Sequence, residues 1–421
     1  MPRMSSTSIA TPRPLIRGRF LVFAGIFLVA LGLRSAATAV SPILLTIEKD
    51  IHFDALSIGL LGMLAPFTFA VFGALAPFMA RRIGLEWSII VAASAIGLGE
   101  LLRALSHDTG SFLAWSFVSM AGTGAANVIL PPLVKKFFPD RIGGMSTIYL
   151  FLAVLGSVIP AYLAAPLAAG ADWRMSIATW GYIAVLALVP WVLQIIRERG
   201  RASVFASIND PGVTRRVWTS PTSWAITTSF AIAAVNCYVM WAWLPVMLQE
   251  RIGMSEADTG VMLAFYTFMS VLTSLFGPLF ITRLKSMAPL IVVGMVVIIS
   301  GTLGLWLIPA TATWLWVALS GLGMIFFTIP LVLINLRTSG PAGAVALSGM
   351  TQGVGYLIGA LGPLTVGFIH SFSRDWTLDY VFLIGSALAG IFPLILLHRR
   401  VMVDVPREKA GRGQGAHSPE G

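Results

Sequence analysis

Residues 20–45 read FLVFAGIFLVALGLRSAATAVSPILL, an apolar run interrupted by a single charge, Arg34. A helix rises about 1.5 Å per residue, so roughly 20 residues cross the roughly 30 Å hydrocarbon core of a bilayer, and this run is long enough. Inside lipid every backbone N–H and C=O must find a partner within the chain, so the run is expected to be one helix. An arginine near the middle costs roughly 2.5 to 3.5 kcal/mol, and a charge at that depth faces a cavity, a partner or a substrate. Arg34 is therefore the first candidate substrate contact, and its permanent positive charge points to an anion.

The same pattern recurs along all 421 residues: apolar stretches cover 20–45, 57–80, 87–106, 110–134, 144–168, 175–196, 222–248, 257–282, 287–308, 312–336, 344–370 and 377–398. Hydrophobic residues make up 57% of the chain and charged residues 11%, with a mean hydropathy of +0.86, which no soluble globular domain resembles. Barrel strands would be shorter and alternating, so the expected fold is an all-α membrane protein with twelve transmembrane helices. The single cysteine, Cys237, excludes a disulfide framework and a thiolate metal site. No nucleotide-binding loop, metal-ligand cluster or nucleophile–base arrangement is visible, so neither an enzyme nor a cofactor is expected. The hydrophilic segments, about 25 residues or fewer, are too short to form a soluble sensor domain.

A net charge of +10 and a pI near 10.2 would suit a nucleic-acid binder, but the placement of the cations argues for membrane topology instead. Of the 28 Lys and Arg, 22 fall at the N-terminus, in alternate loops and at the C-terminus: Arg3, Arg13, Arg17 and Arg19; Arg81 and Arg82; Lys135, Lys136 and Arg141; five between Arg197 and Arg216; Arg283 and Lys285; Arg337; and five from Arg399 onward. The intervening loops hold Lys49, Arg174, Arg251 and Arg374. By the positive-inside rule both termini are expected in the cytoplasm, with the basic patches positioned to meet anionic lipid headgroups and no nucleic acid as partner. Ala37-Thr38-Ala39 imitates a secretory cleavage site, but Arg34 interrupts the apolar core a signal needs, so this segment is expected to remain as the first span.

The halves of the chain repeat. Pro42 and Pro245, Gly156 and Gly359, Pro160 and Pro363, Asp172 and Asp375, and Trp173 and Trp376 are each 203 residues apart, while Gly59 and Gly260, Pro77 and Pro278, and Arg82 and Arg283 are 201 apart. Prolines and glycines at matching depths mark matching kinks and close helix contacts. The expected organisation is an N-terminal tail (1–19), a six-helix bundle (20–196), a basic linker (197–221), a second six-helix bundle (222–398) and a C-terminal tail (399–421). Two parallel repeats of six helices imply alternating access around a site near the midplane.

Several segments carry a family resemblance: Gly32-Leu33-Arg34-Ser35-Ala36; Asn127-Val128-Ile129-Leu130-Pro131 with Val134-Lys135 and Phe138-Pro139-Asp140-Arg141; Trp243-Leu244-Pro245; and Met350-Thr351-Gln352-Gly353-Val354-Gly355-Tyr356-Leu357 with Ala360-Leu361-Gly362-Pro363. The chain resembles the major facilitator superfamily, and within it the cyanate transporter (CynX/NimT-type) branch, over nearly its whole length. The resemblance implies two pseudo-symmetric six-helix bundles, a monomer in the bacterial cytoplasmic (inner) membrane, and cyanate-like anions or small nitrogen-containing organics as substrates. In the loop after the second span, Gly73, Arg81, Arg82 and Gly84 follow the superfamily motif, but Pro77 stands where an aspartate is usual. The charge latch that commonly uses that aspartate is not carried over, and Arg81 and Arg82 read as topological anchors.

The remaining polar residues at mid-depth are few. Asn127 in the fourth span precedes Pro131-Pro132; in the seventh span Asn236, Met240 and Trp243 share a face, with Tyr238 and Trp241 beside them; Gln352 and Tyr356 share a face of the eleventh. Arg34, Asn127, Asn236, Tyr238, Gln352 and Tyr356 form the candidate substrate-binding set, against a plain packing role for each. The repeat sets Tyr149 opposite Gln352 and uncharged Cys237 opposite Arg34, which removes any symmetrical structural need for the arginine. Glu100 and Arg103, three apart in the third span, are expected either to pair with each other or to couple transport to protons, with Glu100 read as the one acid well inside a span. A pairing of Arg34 with Glu100 is the structural alternative for the arginine. Gly349, Gly353, Gly355, Gly359 and Gly362 read as a line of close helix packing, and His370 and His398 as interfacial bystanders.

The leading functional expectation is a secondary active transporter of a small, anionic or strongly dipolar solute, with Arg34 binding the charge. The alternative is a multidrug or metabolite exporter of the same fold, which the aromatic residues of the seventh span suit but a central arginine and a scarcity of buried acids do not.

Overall fold

The computed structural model describes residues 19–197, 210–284, 286–373, 375–398 and 401–404. Most tail residues, much of the linker, Lys285 and Arg374, to which the charge pattern assigned sides of the membrane, lie outside these. Among the described residues there is no strand, and twelve helices are long and apolar enough to cross a membrane. They are α1 (Phe20–Glu48), α2 (Ala55–Ile83), α3 (Leu85–Ala104), α4 (Thr109–Phe137), α5 (Ile142–Gly170), α6 (Trp173–Arg197), α7 (Pro221–Ile252), α8 (Glu256–Arg283), α9 (Ala288–Leu307), α10 (Thr313–Leu336), α11 (Ala342–Ser373) and α12 (Thr377–Leu396). The expected spans all appear.

Two expectations are corrected in detail. The first span is not one helix but four pieces, Phe20–Gly32, Ser35–Thr38, a 3-10 turn Ser41–Ile43 and Leu44–Glu48. Pro42 has no N–H to give and its ring crowds the carbonyl four residues back, and Arg34 leaves the helical region at φ −133°, ψ −1°. The linker, expected to be merely hydrophilic, contains a helix, Pro211–Thr219: proline supplies its first turn and the Asp210 carboxylate accepts from Gly212 N at 2.8 Å and Val213 N at 3.3 Å.

The repeat seen in the sequence is a repeat of contacts. A Cβ on Gly156 would lie 2.1 Å from the Leu31 carbonyl oxygen, packing α5 on α1; its mate Gly359 packs α11 on α7 with a Cβ 2.5 Å from Ala234, the residue 203 after Leu31. Trp173 donates its indole N–H to Asp50 at 2.8 Å, and its mate Trp376 donates to Glu250 at 2.8 Å, so each half ties the start of its sixth helix to the end of its first. Arg174 adds a 2.6 Å ion pair on Asp50, and these two donors hold that carboxyl below the usual range.

The halves meet in an exchange of the same kind. Gly59 of α2 lies against Pro363 O of α11 and Gly260 of α8 against Ala161 O of α5, at 2.8 and 2.6 Å from the would-be Cβ. Gly367 closes on Ala55 O, Ser41 donates to Ala242 O at 2.9 Å, and Thr46 binds Glu256 through N (2.9 Å) and Oγ1 (2.7 Å). All of these lie toward the ends of the spans opposite the chain termini, here the far end. On the terminal side Gly143 and Gly144 of α5 and Gly349 and Gly353 of α11 have no atom within 4 Å of a would-be Cβ. The halves therefore meet at the far end, while these four glycines of the terminal side meet no neighbour. A central 18-residue stretch of α7 is wholly buried, whereas most other spans bury about half of theirs.

Gly156→Ala forces a methyl into the Leu31 carbonyl and is expected to cost about 1–3 kcal/mol, while Gly143→Ala meets open space and leaves stability unchanged or slightly raised. Thermal unfolding of the two variants in detergent checks this; equal melting temperatures would contradict the close α1–α5 contact.

Candidate substrate site

The break in α1 decides where Arg34 goes. Interrupting the helix releases the carbonyl of Ala36 and turns the backbone of Ser35, and α3 answers both. Glu100 and Arg103, each with 0% side-chain exposure, form an ion pair of 2.5 Å. Ser35 Oγ donates to Glu100 Oε1 at 3.2 Å; Arg103 Nη1 donates to Ala36 O at 3.0 Å and to Ser116 Oγ at 3.4 Å, and its guanidinium lies 5.6 Å from the Phe112 ring centre. Of the two readings for this pair, the geometry forms the mutual ion pair. It also rules out the pairing of Arg34 with Glu100, whose carboxylate is taken by Arg103 and Ser35.

Arg34 itself is part-buried and, among the described residues, forms no side-chain hydrogen bond or ion pair; its Nε is buried without a partner. The guanidinium sits 5.8 Å from the Trp241 ring centre and within electrostatic reach of Cys237, Tyr238 and Tyr356. These rings form one edge-to-face cluster: Tyr238 on Trp241 at 5.4 Å, Tyr238 on Tyr356 at 6.3 Å, and Phe69 on Tyr356 at 5.6 Å and on Tyr238 at 6.3 Å. Phe230 backs Tyr356 at 4.9 Å. Beyond them toward the far end lies a cavity of about 20 Å³, lined by Tyr238, Trp241, Ser41, Gly62 and Met120 among others. That is room for about one water molecule.

The structure thus brings together Arg34, Tyr238 and Tyr356 of the expected set. Asn236 is turned away: it is 5% exposed and its Nδ2 donates to Ile232 O (3.0 Å) and to Ser386 Oγ of α12 (3.1 Å), an intra-half contact. Its former face-mate Trp243 donates to Pro363 O at 3.2 Å. Gln352 bonds Ser348 one turn back on its own helix at 2.8 Å, and Asn127 is part-buried with no hydrogen bond to a described residue. Tyr149, the repeat mate of Gln352, packs on the core of the N-terminal half. The glycine line of α11 divides: Gly355, Gly359 and Gly362 meet α7, whereas Gly349 and Gly353 face open space.

Sequence reasoning missed Phe69, which nothing distinguishes from other aromatics in an apolar span. It also missed Asp379, which has 0% exposure in the first turn of α12; Glu100 remains the acid well inside a span, but it is not alone in being buried. Asp379 sits three residues after Trp376, and its repeat mate is the uncharged Ser176.

Comparisons with known proteins agree with this architecture. The Major Facilitator Superfamily profile matches residues 22–363. The chain is 31% identical to the 2-nitroimidazole transporter of Escherichia coli (strain K12) over 383 residues, covering 90% of this chain and 95% of that one. It is 25% identical to the cyanate transport protein CynX of the same organism over 388 residues, covering 90% and 97%. Among solved structures, a bacterial homologue of the human lysosomal transporter Spinster, in an inward-facing and unoccupied conformation, superimposes with a TM-score of 0.69 at 15% identity, covering 91% of this chain and 96% of that one.

Removing one partner of a buried ion pair leaves the other charge uncompensated, so Glu100→Gln is expected to cost about 3–5 kcal/mol. Thermal unfolding in detergent measures it. A variant as stable as the parent would mean that the pair does not fasten the broken helix.

Proposed function

The chain belongs to the Major Facilitator Superfamily, and from that premise we propose that it is a secondary active transporter of a small, planar anion, moved by alternating access between two six-helix bundles (20–196 and 222–398). The observation that carries the reading is Arg34: a guanidinium at mid-depth in the membrane, with no ion-pair partner among the described residues and aromatic rings on the facing half. A guanidinium offers a planar fork of donors that suits a carboxylate-like or linear anion, and edge-on rings provide flat surfaces for a conjugated solute. The named relatives, a 2-nitroimidazole transporter and a cyanate transport protein, handle small, planar, nitrogen-containing solutes and support this choice.

In this reading Arg34 binds the charge and Tyr238 and Tyr356 line the site. Asn127 and Gln352 orient the solute when the bundles close over it, while Glu100 and Arg103 hold the break that presents Arg34. The excess of Lys and Arg on the terminal side supports a reading in which both termini are cytoplasmic and the protein spans the inner membrane of a bacterial cell. The contacts between the halves at the far end then close the outward side. The protein works as a monomer, with lipid headgroups on its basic loops. A cation-selective exporter of the same fold fits less well, because a central unpaired arginine repels its substrates.

A ligand present at about a hundred times its dissociation constant stabilises a protein by roughly 2.7 kcal/mol. Thermal unfolding of the purified protein against cyanate, small aromatic carboxylates and neutral nitroheterocycles is expected to show anion-dependent stabilisation that is lost in Arg34→Gln and partly kept in Arg34→Lys. Equal stabilisation of Arg34→Gln would remove the arginine from the site, and uptake into proteoliposomes with the stabilising anion tests transport itself.

A further inference from the structure

A second group of ionisable side chains gathers where the far ends of α7, α11 and α12 converge. His370 of α11 stands between two carboxylates, with Nδ1 3.2 Å from Asp379 Oδ2 and Nε2 3.7 Å from Glu250 Oε2. Asp379 is fully buried and its Oδ1 has no partner among the described residues, whereas the Glu250 side chain is 50% exposed. Trp376 binds Glu250 through its indole N–H, and its ring lies 4.1 Å from the imidazole centre. Trp243 packs on both, at 6.0 Å from His370 and 5.7 Å from Trp376.

Among the described residues, the remaining charges nearby do not pair with this group. Asp375, just before α12, adds a further carboxylate within reach of His370 and Asp379. Arg251 of α7 donates to Trp306 O at 2.5 Å and faces the Tyr380 ring at 5.9 Å, although its charge is also felt at Asp375. From the opposite half, Glu48 at the end of α1 lies within electrostatic reach of Glu250, and Asp54 caps its own helix α2 through Ser57 N at 2.8 Å. Arg374 lies outside the described residues. A neutral imidazole has one N–H and answers one carboxylate; an imidazolium has two and answers both.

This group backs directly onto the closure between the halves. His370 is three residues beyond Gly367, which meets Ala55 O and Gly59 of α2, and Trp243 follows Ala242, whose carbonyl accepts from Ser41 of α1. We propose that His370, Asp379 and Glu250 form a proton-binding site that latches the far end of the molecule shut. With the proton on His370 the ends of α7, α11 and α12 are one unit, whose edge packs on α1 and α2. When the proton leaves, Glu250 loses its partner on α11 and the edge separates. The half-exposed Glu250 gives the proton its path to far-side water. The closed form therefore gains stability in acid and loses it as pH rises through the imidazole titration, within roughly pH 5–8. The latch rests on the alternating-access reading for the movement it controls, and not on the identity of the substrate.

The test places spin labels at Leu56→Cys on α2 and Phe372→Cys on α11, both exposed, one on each side of the closure, while buried Cys237 stays unlabelled. Label distances are measured by pulsed electron paramagnetic resonance in nanodiscs from pH 5 to pH 8, without substrate. The parent is expected to pass from a single short distance to a growing long-distance population, and His370→Gln to lose the pH response. Glu250→Gln, at a half-exposed site that spares the fold, is expected to move the midpoint to lower pH. A parent distance that ignores pH, a His370→Gln protein that keeps the parent response, or a Glu250→Gln protein with an unmoved midpoint overturns the latch. Arg34→Gln is expected to keep the full pH response. Anions that fail to bind the parent therefore sink only the substrate reading, and a pH-blind closure with intact anion binding sinks only the latch.

Discussion

A buried ion pair on α3, Glu100 with Arg103, is the constraint on which the site depends. A broken helix inside a bilayer leaves polar backbone groups with no water to meet them, and each such group costs several kcal/mol unless the protein answers it. Here the answer is local: Arg103 takes the Ala36 carbonyl and Glu100 takes the Ser35 hydroxyl. The charges also answer each other, so Glu100 is not left to attract Arg34. The cationic side chain next to the break thereby stays available for something that is not protein. A continuous helix in the same place would need no such pair and would leave Arg34 on the regular face of a cylinder.

The closure of the two halves rests on a different kind of contact. Gly59, Gly260 and Gly367 bring backbones together at distances that no side chain would allow, in the manner of small-residue packing between membrane helices. The repeat makes the contacts reciprocal, α2 on α11 and α8 on α5, so the interface has an approximate two-fold character although the two halves have diverged in sequence. The halves differ at the candidate site: Arg34 has the uncharged Cys237 as its mate.

Most of the architecture was legible in the sequence because hydrophobic length and paired glycines and prolines report directly on bilayer thickness and helix contact. The site was legible only in part. Arg34 stood out by its cost in lipid, Tyr356 by the face of α11 it shares with Gln352, and Tyr238 only as a polar ring beside the face of Asn236. Asn236 did not, because i, i+4 and i+7 periodicity shows which residues share a face but not what that face meets, and on α7 every face meets another helix. The break in α1 followed from Pro42 in principle, yet prolines at Pro245 and Pro363 sit inside unbroken helices. Local sequence does not say which proline a neighbouring helix will rescue. Asp379 was hidden by its place in the first turn of α12, where an acidic residue usually reads as a solvated favourable charge on the helix dipole.

The burial of the centre of α7 bears on how the molecule is made. The Trp243 indole, Asn236 and the Ala242 carbonyl find their partners on α11, α12 and α1. During synthesis this helix enters the bilayer before α11 and α12 exist, so those contacts form only once the last two spans have been made. The centre of the second bundle is therefore sealed by its final helices.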